Sequence, residues 1–173
     1  MTCEPLEGGR WRLRFVEPEA AFLMNVLARL ARHYREDLGQ VSPALRTFWK
    51  TGASVPEAEQ SATGPEAEES REVLAESRAE LRSERLALAE SWLRDFELAE
   101  EPWDMEMTGA ERDEFVAMLN DRRLILAVEA GVTREEQLPP LKGEFDERRA
   151  AILEIDVLGH FIMVLLGPQI YRP

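Results

Sequence analysis

Cysteine is almost missing from this chain. Cys3 stands alone among 173 residues, which excludes an intramolecular disulfide and a thiolate metal cluster. A reducing compartment fits that usage. Histidine is nearly as scarce. With only His33 and His160, and no His-Glu-x-x-His or Glu-x-x-His spacing, the sequence offers neither a zinc-protease helix nor a helical di-iron site. A glycine-rich phosphate loop, a Gly-x-Ser-x-Gly elbow and a cysteine with a catalytic partner are also lacking, so the usual nucleotide and nucleophile signatures are absent. No cofactor is expected.

Positive charge is in deficit. Against 34 Asp and Glu there are 21 Lys and Arg, a formal net charge of −13, and no more than two basic residues are adjacent. Nucleic acid is bound through clustered cations that displace counterions, so it is not an expected partner. The same repulsion disfavours anionic membrane surfaces, whereas a basic protein surface remains compatible. Long apolar runs are missing too. The longest uncharged stretch, Val157 to Tyr171, is interrupted by Gly159, His160, Gly167 and Pro168. It falls short of the roughly 20 apolar residues a bilayer span needs, and reads instead as a buried core helix. The opening Met1-Thr2-Cys3-Glu4-Pro5 has neither a basic start nor an apolar stretch, so no secretory signal is expected and the cytoplasm is the expected address.

What is present points to one folded domain with a heavily charged surface, 45% hydrophobic and 32% charged. Arg10 to Val16 alternates with the period of two of a half-buried strand, Trp11, Leu13 and Phe15 facing inward. Gly8-Gly9 supplies positive backbone dihedrals, so Thr2 to Leu6 is expected to pair with it as a hairpin. Glu17, Pro18 and Glu19 open a helix to about Asp37, with Leu23, Val26, Leu27, Leu30 and Tyr34 as its inner stripe. Ser42-Pro43 opens a short helix carrying Leu45, Phe48 and Trp49.

Residues 51–70 contain no Lys, Arg or aromatic and read as a mobile acidic loop within the domain. Pro65 begins the longest helix, to about Ala99, whose thin apolar stripe in the first half suits projection beyond the core or contact with a partner. Thr108-Gly109-Ala110-Glu111 has capping-box spacing, and Gly131 sits where a left-handed cap closes the helix from Gly109 to Ala130. The final helix, about Glu144 to Leu166, is apolar nearly all round after Ile152. It is therefore expected at the centre of the fold, with Gly167-Pro168 ending it. The fold class is mainly α: a helical bundle of four or five main helices with a short N-terminal β-hairpin.

The run Met118 to Leu126, followed by Gly131-Val132, resembles a bacterial domain-of-unknown-function family common in actinobacteria. The matching positions are Leu119, Asn120, Arg123, Leu124, Leu126, Gly131 and Val132. Met118 stands where that family tends to have Trp, and Ala127 and Glu129 replace a Gly and an Arg. The resemblance implies a short N-terminal strand, a helix opened by Glu-x-Glu-Ala, a variable middle and an apolar last helix. It carries no catalytic residues. Genes of that family often lie near that of the Clp protease adaptor, which implies proteostasis by association alone.

Three places could carry chemistry. Asp156 and His160, four apart, share one helix face, either as an oriented general base or half a metal site, or as a buried polar pair that fixes helix register. His33 reads as more exposed and inert. Asn120 and Arg123, with Asp121 and Arg122, offer an anion or polar site, or else ordinary surface ion pairs. Seven acids and no base lie between Asp95 and Glu111, interleaved with Trp92, Phe96, Trp103, Met105 and Met107. Aromatic and Met anchors ringed by acids suit a basic partner, which makes Glu101, Trp103, Asp104, Met105 and Glu106 the expected partner-binding residues, with Trp103 as anchor; the alternative is that Trp103 and Met105 staple a loop to the bundle. The expected function is a non-enzymatic protein-interaction or regulatory protein. The alternative is a metal-dependent hydrolase built on Asp156, His160 and nearby carboxylates.

Overall fold

The computed structural model describes residues 1–51, 65–98, 104–132 and 146–170. Three antiparallel strands, β1 (Thr2–Pro5), β2 (Arg10–Arg14) and β3 (Asp104–Thr108), form a sheet in the order β1-β2-β3. The expected hairpin is β1 and β2, with Cys3 opposite Leu13. Its turn needs Gly8 and Gly9, at φ 74° and 75°, a region where a side chain would clash with the backbone. Leu13 and Phe15 are buried as the alternation requires, while Trp11 is half-buried beneath the Arg112 guanidinium, 4.1 Å from the ring centroid. β3 was not expected. The stretch after Pro102 reads in sequence as a connection, yet Asp-Met-Glu-Met-Thr pairs along β2, Met107 opposite Trp11 and Met105 opposite Leu13. Met107 faces the core and Asp104 and Glu106 face solvent, a period of two.

Helix α1 spans Glu17–Arg35 and α2 spans Pro43–Thr51. The Glu19 carboxylate accepts from the Val16 amide at 3.0 Å, and Ser42 Oγ accepts from the Leu45 amide at 3.2 Å, satisfying amides that helix starts leave unpaired. Helix α3, Pro65–Leu98, includes the last residues of the segment expected to be a loop; Thr51 ends α2, and residues 52–64 of that segment lie outside the described residues. Its two halves differ. Val73 and Leu74 are exposed, whereas Ala89, Trp92 and Phe96 are buried, as the thin early stripe requires.

Helix α4, Gly109–Glu129, has the expected capping box: Thr108 Oγ1 accepts from the Glu111 amide at 3.2 Å and Glu111 accepts from the Thr108 amide at 2.7 Å. Gly131, at φ 64°, lets the Val132 amide reach back to the Ala127 carbonyl at 2.8 Å. Helix α5, Glu147–Ile170, passes through Gly167-Pro168 instead of stopping there.

One core cluster joins the elements: α1 packs on α3, α2 on α3 and α4, and α4 touches α1, α2, α5, β2 and β3. The central helix is therefore α4, not the final one. Helix α5 lies on the outside of α4, with further contacts to β1 and an edge-on contact of Phe161 with Phe22 of α1 at 5.7 Å. Ile152, Leu158, Phe161 and Leu165 are buried, but Val157 is 39% and Met163 65% exposed. Only 22% of its most apolar stretch is buried, and by length and composition this helix is long and apolar enough to cross a membrane. An apolar residue on every side of a helix specifies cover, and α4, β1 and Phe22 lie against part of its surface only.

Candidate functional site

Of the acids expected to steer a basic partner, Asp104 and Glu106 are already engaged. Alternation along β2 puts Arg10, Arg12 and Arg14 on one face, and the register brings Glu106 and Asp104 beside them. Arg10 lies 3.1 Å from Glu106, Arg12 hydrogen-bonds Glu106 and lies 3.5 Å from Asp104, and Arg14 lies 3.4 Å from Asp104. The Arg12 hydrogen bond holds the Glu106 carboxyl below its ordinary range. These acids therefore neutralise their own chain's arginines. Met105 is half-buried against the core, which fits a packed strand residue better than a free anchor. Glu101 and Trp103 lie outside the described residues.

Between α1, α3 and α4 lies a buried polar seam. Asp121 accepts from the Tyr34 hydroxyl at 2.8 Å and from Arg85 at 2.6 Å, and Arg85 continues to Glu114 at 3.2 Å. Burial lifts the Tyr34 hydroxyl far above its ordinary range, with the Asp121 charge adding to it. Burial also lifts the Asp121 carboxyl, against the opposing pull of Arg85. One turn earlier on α3, Arg82 donates to the carbonyls of His33, Tyr34 and Glu36 at 3.1, 3.0 and 2.8 Å, closing the C-terminus of α1. Its guanidinium sits 5.0 Å over the Trp49 ring. Asp121 Oδ2 takes both bonds and so ties α1, α3 and α4 together, while Arg82 Nε and Trp49 Nε1 are buried without a hydrogen-bond partner among the described residues.

Asn120 and Arg123 are not joined into one anion site. Asn120 lines a 710 Å³ cavity with Phe48, Leu81, Arg85 and Asp121. Arg123 does not line that cavity; it packs against Gly159 of α5, where an added Cβ would stand 3.7 Å from the guanidinium carbon. Its Nε is buried without a hydrogen-bond partner among the described residues.

His33 is not the exposed, isolated histidine its position in sequence suggests. Its side chain is 12% exposed, in the wall of a 940 Å³ cleft that also holds Arg29, Arg32, Glu36 and Arg122. Nε2 lies 3.3 Å from Arg122 Nη1 and Nδ1 lies 3.1 Å from Glu36. A guanidinium only donates, so Nε2 accepts and Nδ1 carries the proton toward Glu36. Arg122 in turn donates to Glu154 of α5 at 2.7 Å. Both ring nitrogens are thus engaged within the chain. The chain Glu36–His33–Arg122–Glu154 ties α1, α4 and α5 together. Sequence reasoning missed it because Arg122, which joins the two ends, is 89 residues from His33 and 32 from Glu154.

Asp156 and His160 share a face of α5, as their spacing demands, but that face is the exposed one. The expectation of a buried pair fails with the central placement of the helix. Neither side chain makes a hydrogen bond or ion pair among the described residues, although Glu19 of α1 lies within electrostatic reach of His160. No cluster of three or more His, Cys, Asp or Glu able to hold a metal occurs among the described residues. Cys3 is half-buried, and burial lifts its thiol above the ordinary value, away from the nucleophilic thiolate.

Val16 and, on α3, Val73 and Leu74 are exposed, and among the described residues so is the outer face of α5, where Asp156, Val157, His160 and Met163 are exposed and Leu153 and Val164 half-buried beside them. The signal of this α5 face in sequence is spacing, since 153, 156, 160 and 163 recur at three and four residues. No family model, no curated protein and no solved structure matches the chain, so the resemblance around Met118 to Val132 assigns no family.

Proposed function

We propose that this chain is a non-enzymatic protein-interaction or regulatory protein that docks through the outer face of α5. The observation that carries this reading is the exposure of Met163 and Val157 on a helix whose most apolar stretch is only 22% buried. Uncovered apolar surface of this kind marks interaction sites in folded proteins. Two further observations favour it over chemistry. His33 has both ring nitrogens engaged, and Asp156 and His160 gather no third metal ligand among the described residues. The acids on β3 are spent on β2, so recognition falls to apolar contact more than to a basic partner's charge. A role in proteostasis rests on the resemblance alone.

The test is photo-crosslinking from position 163, with position 32 on the exposed side of α1 as control, in cells that naturally express the gene. Adducts from 163 and none from 32 support the reading; equal yields, or none from 163, overturn it. The hydrolase alternative requires stoichiometric zinc, iron or manganese in untagged protein, lost in the Asp156→Ala, His160→Ala double variant.

A further inference from the structure

We infer that the occupant of this face is a second copy of the chain, paired antiparallel along α5 about a two-fold axis near Leu158, with Asp156 of each copy facing His160 of the other. The inference rests on the proposed docking role of α5 and names its partner.

Self-complementarity carries it. A two-fold interface must match its own surface, so each group has to find its complement on the same patch. Along the outer face, Leu153, Asp156, His160 and Met163 are separated by three, four and three residues, a palindromic order centred on Leu158. Three-and-four spacing is that of a helix–helix seam. Antiparallel pairing about that centre sets Leu153 against Met163, and Asp156 against His160, twice over. Parallel pairing would instead set Asp156 against Asp156, two facing carboxylates that repel, and leave His160 against His160.

The two polar groups are free for this. Neither Asp156 nor His160 has a hydrogen-bond or ion-pair partner among the described residues, and both are exposed. Glu19 of α1 lies within electrostatic reach of His160, but its two oxygens are taken by the Met1 ammonium and the Val16 amide. The rival occupant is lipid. A bilayer would have to receive Asp156 and His160 without partners and draw Glu154 off the buried Arg122, each of which is costly.

The experiment is sedimentation equilibrium on the full chain, with circular dichroism to check that each variant folds. Wild type is expected to dimerise. Asp156→Lys alone removes the carboxylate that His160 of the other copy would meet, and His160→Asp alone sets two carboxylates together, so each is expected to weaken self-association by about tenfold or more. Mixed together the two variants regain a heterodimer, because the introduced lysine of one copy faces the introduced aspartate of the other while the second contact is the native Asp–His pair. Recovery in the mixture separates a broken contact from a broken fold.

A wild type that is monomeric at every concentration reached overturns the inference, as does a dimer untouched by either variant or a mixture that fails to pair. Monomeric protein that floats with phosphatidylcholine vesicles overturns it in favour of lipid. If position 163 crosslinks to a different protein while the chain stays monomeric, the docking role stands and the second copy falls. If it yields no adduct of any kind, both fall.

Discussion

Helices α4 and α5 lie against each other and invert the usual distribution of residues. Helix α4 is the central one and buries charge: Arg112, Asp121 and Arg122 are all within the core. Helix α5 is the more apolar one and leaves Val157 and Met163 in solvent. A charged side chain lies inside at tolerable cost when it is paired, as Asp121 is with Tyr34 and Arg85, whereas Arg112 lies inside over the Trp11 ring with Nη1 unpartnered among the described residues. An apolar one stays outside when no neighbouring element covers it, as none of the described residues covers Met163. Composition therefore ranks helices by what they need, and only the fold shows which of them receive it.

The largest effect should come from breaking a buried charge network on α4. Asp121→Ala leaves Arg85 and the Tyr34 hydroxyl without their shared acceptor, and should cost about 4 kcal/mol in urea unfolding. A loss below about 1 kcal/mol would show that the seam is solvated. Next comes the inner side of α5: Leu158→Ala removes a fully buried side chain and should cost about 3 kcal/mol. Thr108→Ala removes the acceptor for the Glu111 amide at the start of α4, with an expected cost of about 1 kcal/mol.

A smaller effect is tied to pH. The Thr108 amide holds the Glu111 carboxyl below its ordinary 4.5. For a depressed carboxyl, the folded state binds fewer protons than the unfolded one. The stability it adds is complete above the ordinary value and is lost as pH falls through the depressed one. Glu111→Gln should therefore flatten the acid limb of a stability–pH curve and leave its neutral plateau lower; an unchanged acid limb would refute that linkage. Smallest of all, Met163→Ser on the outer side of α5 should change the stability of dilute protein by no more than about 0.5 kcal/mol. A loss approaching that of Leu158→Ala would erase the contrast between the two sides of the helix.

Features written in neighbouring residues were legible in the sequence. The alternation of β2, Pro18 in the first turn of α1, the Thr108 capping box and the Gly131 cap are local rules, and each stands where the pattern put it. So were the buried faces of α1 and α2 and the exposure of Val73 and Leu74 on α3. Features that depend on distant residues were not. β3 is a strand because β2 is there to pair with it, although its own alternation was available to be read. His33 is enclosed because Arg122, 89 residues away, reaches it.

The candidate site shows the same limit. Asp156 and His160 sharing a face follows from four-residue spacing, but whether that face is covered depends on where α4 lies. The acids of 104–106 looked available because sequence shows their number and hides the arginines opposite them.

The claim at the centre of this account is that the outer face of α5 is bare in one copy and covered in two. Met163→Cys in a Cys3→Ser background reports on it directly through its rate of alkylation. The account predicts a rate close to that of a free thiol in dilute protein, falling as protein concentration rises and restored by Asp156→Lys. A thiol protected at every dilution would mean that the chain covers this face itself, and one equally reactive at every concentration would mean that no second copy does.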